Sequence, residues 1–173
     1  MAMAAYSRRD LEIRRYPFLV YALVPLAALV LQAWLPRPLG RYAWFDLPLV
    51  VTVYFALCRR SPIQGMLTGG LLGLVQDALT GHAVGINGIA KTVAGYLAAS
   101  LGVRIDVQNA TIRLLMIFSL SIVSSAIYVF IYRFLLGIEV QDWSWMTELF
   151  KAVGNSVIAL ISFPMLDRLQ VKD

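Results

Sequence analysis

Charge is scarce in this chain. Only 14% of its 173 residues are Asp, Glu, Lys or Arg, against roughly 25% in ordinary globular domains. With 60% hydrophobic residues and a mean hydropathy of +0.72, it reads as an integral membrane protein rather than a water-soluble domain. A single cysteine, Cys58, rules out an intrachain disulfide framework and leaves too few thiols for a cluster. A single histidine, His82, argues against a histidine-rich metal centre, and no metal or cofactor is expected. The chain contains no His-Glu-x-x-His, no phosphate-cradling glycine loop with its lysine, and no cysteine–histidine pairing. An intramembrane serine protease needs a base within reach of its serine, yet His82 lies in a turn far from the serine-rich apolar run. An aspartyl protease needs two facing carboxylates, and Asp77 is the only acid well inside an apolar run. The chain therefore reads as a non-enzyme.

Its net charge of +5 would suit nucleic acid if the basic residues shared a hydrophilic face. They sit instead at the ends of apolar runs, which is the pattern of membrane topology, so no nucleic-acid partner is expected. Six spans are expected, at about Pro17–Leu35, Phe45–Cys58, Ile63–Leu79, Val84–Gly102, Ile112–Leu136 and Glu148–Leu166. The first has Pro25 near its middle and no small-residue cleavage site after it, so it reads as an uncleaved span. The second is short for a full crossing. The fifth is clearest, since residues 114–132 carry no charge. The fold class is all-α, a six-helix transmembrane bundle. Its parts are a basic tail over 1–16, one membrane domain over 17–166 and a short tail over 167–173, both tails cytoplasmic. With both termini inside, ten Lys or Arg fall on the inner side and three (Arg37, Arg41 and Arg133) on the outer. All four tryptophans then lie at the outer interface, where amphipathic rings are enriched.

The stretch from Gly65 to Gly102 organises the chain and holds nine of its twelve glycines. Read as two spans joined by Thr80-Gly81-His82-Ala83, it forms a tight hairpin. Gly65, Gly69 and Gly73 recur every fourth residue, making a face on which another helix can approach closely. Asp77 continues that series, and Lys91, Gly95 and Ala99 repeat it on the return helix. A charge in hydrocarbon costs at least ~2.5 kcal/mol on insertion scales, so such residues face a partner or a cavity. Two readings stand side by side for Asp77 and Lys91: an ion or substrate site, or a structural or partner-facing ion pair. The pair is favoured, with the Lys91 stem reaching outward toward Asp77 and Gln76. Asn87 and Gly88 are expected to shape the start of the return helix, Asn87 as a capping or turn residue. His82 reads as an exposed turn residue. The residues expected to serve helix packing or partner binding are Gly65, Gly69, Gly73, Gln76, Asp77, Gly81, Gly85, Asn87, Gly88, Lys91 and Gly95.

Residues 45–102 resemble the rod shape-determining protein MreD family. The likeness rests on Asp46-Leu47-Pro48, on Arg59-Arg60, on the run from Gly73 to Gly81 (GLVQDALTG) and on Gly85-Ile86-Asn87-Gly88. It implies a non-catalytic component of the bacterial inner-membrane elongation machinery, which inserts side-wall peptidoglycan and maintains rod shape. The implied partners are the bitopic protein MreC and, through it, MreB, RodA and a penicillin-binding transpeptidase. It also implies a fold like the substrate-binding component of energy-coupling-factor transporters. That kinship supplies a rival reading, a component binding a vitamin-like small molecule in an outward pocket lined by Gln76, Asp77 and Lys91.

Overall fold

In the computed structural model, residues 16–34, 45–81, 83–105, 107, 109–138 and 144–170 are described. They form six helices and no strand. These are α1 (Phe18–Trp34), α2 (Leu47–Arg59), α3 (Pro62–Thr80), α4 (Ile86–Gly102), α5 (Ala110–Phe130, continued by a π-helical turn Ile131–Leu135) and α6 (Trp145–Asp167). Two of them, Ala110–Leu135 and Trp145–Asp167, are long and apolar enough to cross a membrane; α1 and α2 are shorter apolar helices.

Local chemistry explains the boundaries. α2 opens on Asp46, whose carboxylate accepts from the Leu49 N–H, with Pro48 in the first turn, where a missing N–H costs nothing. It therefore starts two residues later than expected. It closes at Arg60, a left-handed residue (φ 51°) whose N–H reaches the Ala56 carbonyl. α3 starts at Pro62 and ends on Gly81 (φ 71°), while Gly85 (φ 105°) precedes α4, so both ends of that connection need glycine. Asn109 and Ser144 cap α5 and α6 by accepting from Thr111 N and Met146 N. The Ser144 cap starts α6 at Trp145, three residues before the expected Glu148.

Contacts fix the relative directions. Gln32 near the end of α1 meets the start of α2, and Tyr16 ahead of α1 meets Tyr54 near the other end, so these two helices are antiparallel. α4 runs parallel to α2, because Lys91 meets Asp46 while Gly102 packs on Leu57. α6 does the same, from Asn155 against Asp46 to Asp167 against Tyr54. α3 opposes α4, with Gly65 against Gly95 and Gly73 against Asn87. α5 opposes α6, with Arg113 bonded to Asp167 and Ser121 to Asn155. Successive helices thus alternate in direction.

α2 is the axis of the bundle. Every residue from Pro48 to Cys58 is buried, and the helix touches all five others. The surrounding helices turn apolar residues outward, including Leu19, Leu23 and Leu26 of α1, Leu67 and Leu71 of α3, and Val157 and Ile161 of α6. Meanwhile Thr52, Asp77 and Lys91 are fully buried. An apolar exterior around a polar interior is the arrangement a bilayer favours, since lipid solvates apolar side chains and leaves charges to satisfy one another.

Candidate functional site

The short α2 creates the site. Its thirteen residues span ~20 Å, and the first turn packs among the neighbouring helices, with Pro48, Leu49 and Val50 buried. N–H groups there are taken up by side chains from neighbouring helices. Leu47 N donates to Gln32 Oε1 of α1 at 3.0 Å, and Asp46 N to Asn155 Oδ1 of α6 at 2.7 Å. Gln32 Nε2 returns a bond to the Phe45 carbonyl (3.2 Å), and Asn155 Nδ2 donates to Ser121 Oγ of α5 (3.0 Å).

Asp46 is also the counter-ion of Lys91. The ammonium lies 2.6 Å from Asp46 Oδ2 and donates at 3.2 Å to Asn87 Oδ1; the lysine side chain is fully buried, whereas that of Asp46 is 24% exposed. One oxygen of Asp46 caps α2 and the other holds the cation. The arrangement joins two helices that are not neighbours in sequence.

Asp77 has a different task. Its Oδ2 accepts from the backbone N–H groups of Gly85 (2.8 Å) and Asn87 (3.1 Å), and its Oδ1 from Asn87 Nδ2 (2.7 Å). A carboxylate from the end of α3 thereby anchors the N-terminus of α4, where unpaired N–H groups and the helix dipole favour negative charge. The expected Asp77–Lys91 ion pair does not form. Asp77 is saturated by three donors of the α4 start, and Lys91 is drawn to Asp46 instead. Asn87 links the two acids, donating to Asp77 and accepting from Lys91. It is the second residue of α4, and the capping expected of it is performed by Asp77.

Below this belt the glycine stripe does close-packing work. A Cβ on Gly65 would fall 2.9 Å from the Gly95 carbonyl carbon, one on Gly69 2.6 Å from that of Lys91, and one on Gly73 2.5 Å from that of Asn87. Gly88 packs against the Leu74 side chain, and Gly95 against the Gly65 carbonyl. The stripe is therefore occupied by α4 itself. Gly81 and Gly85 differ from the others: an added Cβ would meet nothing within 4 Å, and they serve the turn through positive φ. Gln76 is buried, with its Oε1 unpartnered. His82, expected as an exposed turn residue, and Trp44 and Trp143 of the expected aromatic belt lie outside the described residues.

Several members of the polar interior were given no site role from the sequence: Gln32, Asp46, Tyr54, Arg113, Glu148, Asn155 and Asp167. The C-terminal halves of α2 and α6 carry a second cluster. Tyr54 Oη lies 2.6 Å from Tyr16 Oη and donates to Asp167 Oδ1 at 2.8 Å. Asp167 Oδ2 accepts from Arg113 Nη1 at 2.7 Å, and Arg113 Nε donates to the Val107 carbonyl. The two clusters lock opposite ends of α2. Among the described residues, no three potential metal ligands of the His, Cys, Asp or Glu type come together. The chemistry of the belt is that of charge compensation and helix registration.

A family model described as rod shape-determining protein MreD matches residues 12–170. The chain belongs to the MreD family. The match extends the likeness seen at residues 45–102 to nearly the whole chain, and it implies a role in rod-shape determination, with association with the membrane and the cell-shape machinery. The MreD family is known for shape determination and not for catalysis. No curated protein matches, and no solved structure matches.

Proposed function

We propose that this MreD-family protein is a non-catalytic scaffold of the bacterial elongation machinery, placed in the cytoplasmic membrane by six crossings with both termini inside. Its direct partner is a bitopic MreC-like protein, through which it joins MreB, RodA and a penicillin-binding transpeptidase. The observation that carries the reading is the family match over residues 12–170. The alternating helix directions support six crossings, with α2 tilted or locally thinning the bilayer to accommodate its length.

The belt supports a scaffold over a transport component. Asp77 and Lys91 are fully buried and Gln76 nearly so, and a groove of about 250 Å³ on the bundle is lined by none of the three. The glycine stripe and the ion pair serve the partner indirectly, by holding the α3–α4 hairpin against α2 so that the outer apolar faces keep one shape. Depletion tests the proposal. A rod-shaped host losing the protein rounds up, wild type restores rods, and Asp77→Ala at equal membrane level restores them poorly. Cells that keep their rod shape after depletion would contradict it.

A further inference from the structure

α5 and α6 leave between them a groove of about 250 Å³, lined on α5 by Ile122, Ser125, Ala126, Val129 and Phe130. Its mouth is charged. Arg133 and Phe134 line it from the π-helical turn, and Glu148 from the first turn of α6. Glu148 is only 9% exposed; its Oε1 accepts from Lys151 at 2.9 Å, while its Oε2 is buried without a partner. Arg133 makes no ion pair among the described residues. Among the described residues, a carboxylate oxygen without a partner and a guanidinium without an ion pair thus share one mouth, and a buried acceptor left unpaired is costly.

Length and width select the occupant. From Ile122 to Phe134 the groove wall rises ~18 Å, close to one leaflet of a ~30 Å hydrocarbon core. Spread over that length, its volume suits a single hydrocarbon chain and is too narrow for a helix about 10 Å across. The charges at its mouth lie at headgroup depth, because they close α5 and open α6. We propose that this groove binds one phospholipid bearing a primary amine. Its ammonium donates to Glu148, its phosphate meets Arg133, and one acyl chain lies along Val129 and Ala126. The inference rests on the membrane reading and not on any partner in cell elongation.

The test is native mass spectrometry of the full chain released from bilayers containing phosphatidylethanolamine, phosphatidylcholine and phosphatidylglycerol with matched chains. Phosphatidylcholine keeps the phosphate but its quaternary ammonium donates no hydrogen bond; phosphatidylglycerol has no cation. Retention of phosphatidylethanolamine should exceed that of phosphatidylcholine by about tenfold, as expected for a hydrogen bond to a charged group. Glu148→Gln should abolish the preference. Arg133→Ala, at an exposed position that does not threaten the fold, should lower retention of all three lipids. Equal retention of the three by wild type, or a retention that Arg133→Ala leaves unchanged, would overturn the proposal. So would a groove that stays lipid-free in bilayers and becomes protected only when a single-span helix is added.

Discussion

Removing the charge of Lys91 tests the buried pair that holds α4 to the first turn of α2. In Lys91→Met the stem survives but Asp46 loses its cation. Its carboxylate is 24% exposed and still caps Leu49, so part of its solvation remains. A loss of ~2–3 kcal/mol follows, at or below the low end for breaking a buried pair. Asp46→Asn keeps a capping oxygen but leaves a fully buried ammonium with the Asn87 oxygen as its remaining uncharged anchor. The loss should be larger, ~3–5 kcal/mol. Combining the two substitutions removes both charges and leaves an amide beside a thioether, so the double variant should fall within ~1–2 kcal/mol of wild type. The predicted coupling is thus roughly 3 kcal/mol or more, well above the ~0.5 kcal/mol within which independent sites add. Reversible unfolding of the four proteins in mixed micelles measures it. Single losses that simply sum in the double variant would refute a direct Asp46–Lys91 pair.

The remaining predictions address other parts of the bundle. Gly69→Leu or Gly73→Leu should prevent α3 from meeting α4 and sharply reduce membrane accumulation, since even a Cβ there would overlap backbone. Gly137→Ala, where the cost is only a positive φ of 63° in open space, should lose about 1 kcal/mol and accumulate normally. Tyr54→Phe should cost ~1–2 kcal/mol in the same unfolding assay, because Asp167 keeps Arg113 when the hydroxyl goes. Cysteine labelling of Ser61→Cys and His82→Cys from the two sides of a sealed membrane should mark opposite faces; labelling from one side only would remove α3 as a crossing.

The helices were legible in the sequence because apolar runs, prolines and glycines report local constraints. α3 and α5 fall within a residue or two of their expected starts, and Gly65, Gly69 and Gly73 share one buried face as their spacing requires. The pairing of the charges was not legible. Asp46 lies at the edge of an apolar run and enters the sequence reading only through the family likeness. Its burial depends on how far the short α2 sinks among the other helices, which is a tertiary property. Asp77 and Lys91 lie on adjacent helices and invite pairing, yet backbone N–H groups at the start of α4 compete for Asp77 and win. Gln32 and Asn155 carried no sequence signal either. Single polar residues in apolar helices acquire meaning only when α1, α5 and α6 converge on the same helix start. The π-turn at Ile131–Leu135 was likewise hidden inside what reads as one continuous span.

The central claim is that this protein acts by holding other membrane proteins. Affinity purification from the membranes of a rod-shaped host, in mild detergent, tests it most directly. The account predicts recovery of a single-span protein of the MreC kind, diminished when Asp77→Ala or Lys91→Met disturbs the belt. Recovery of an ATPase module together with a tightly bound vitamin-sized molecule, and of no bitopic partner, would contradict it.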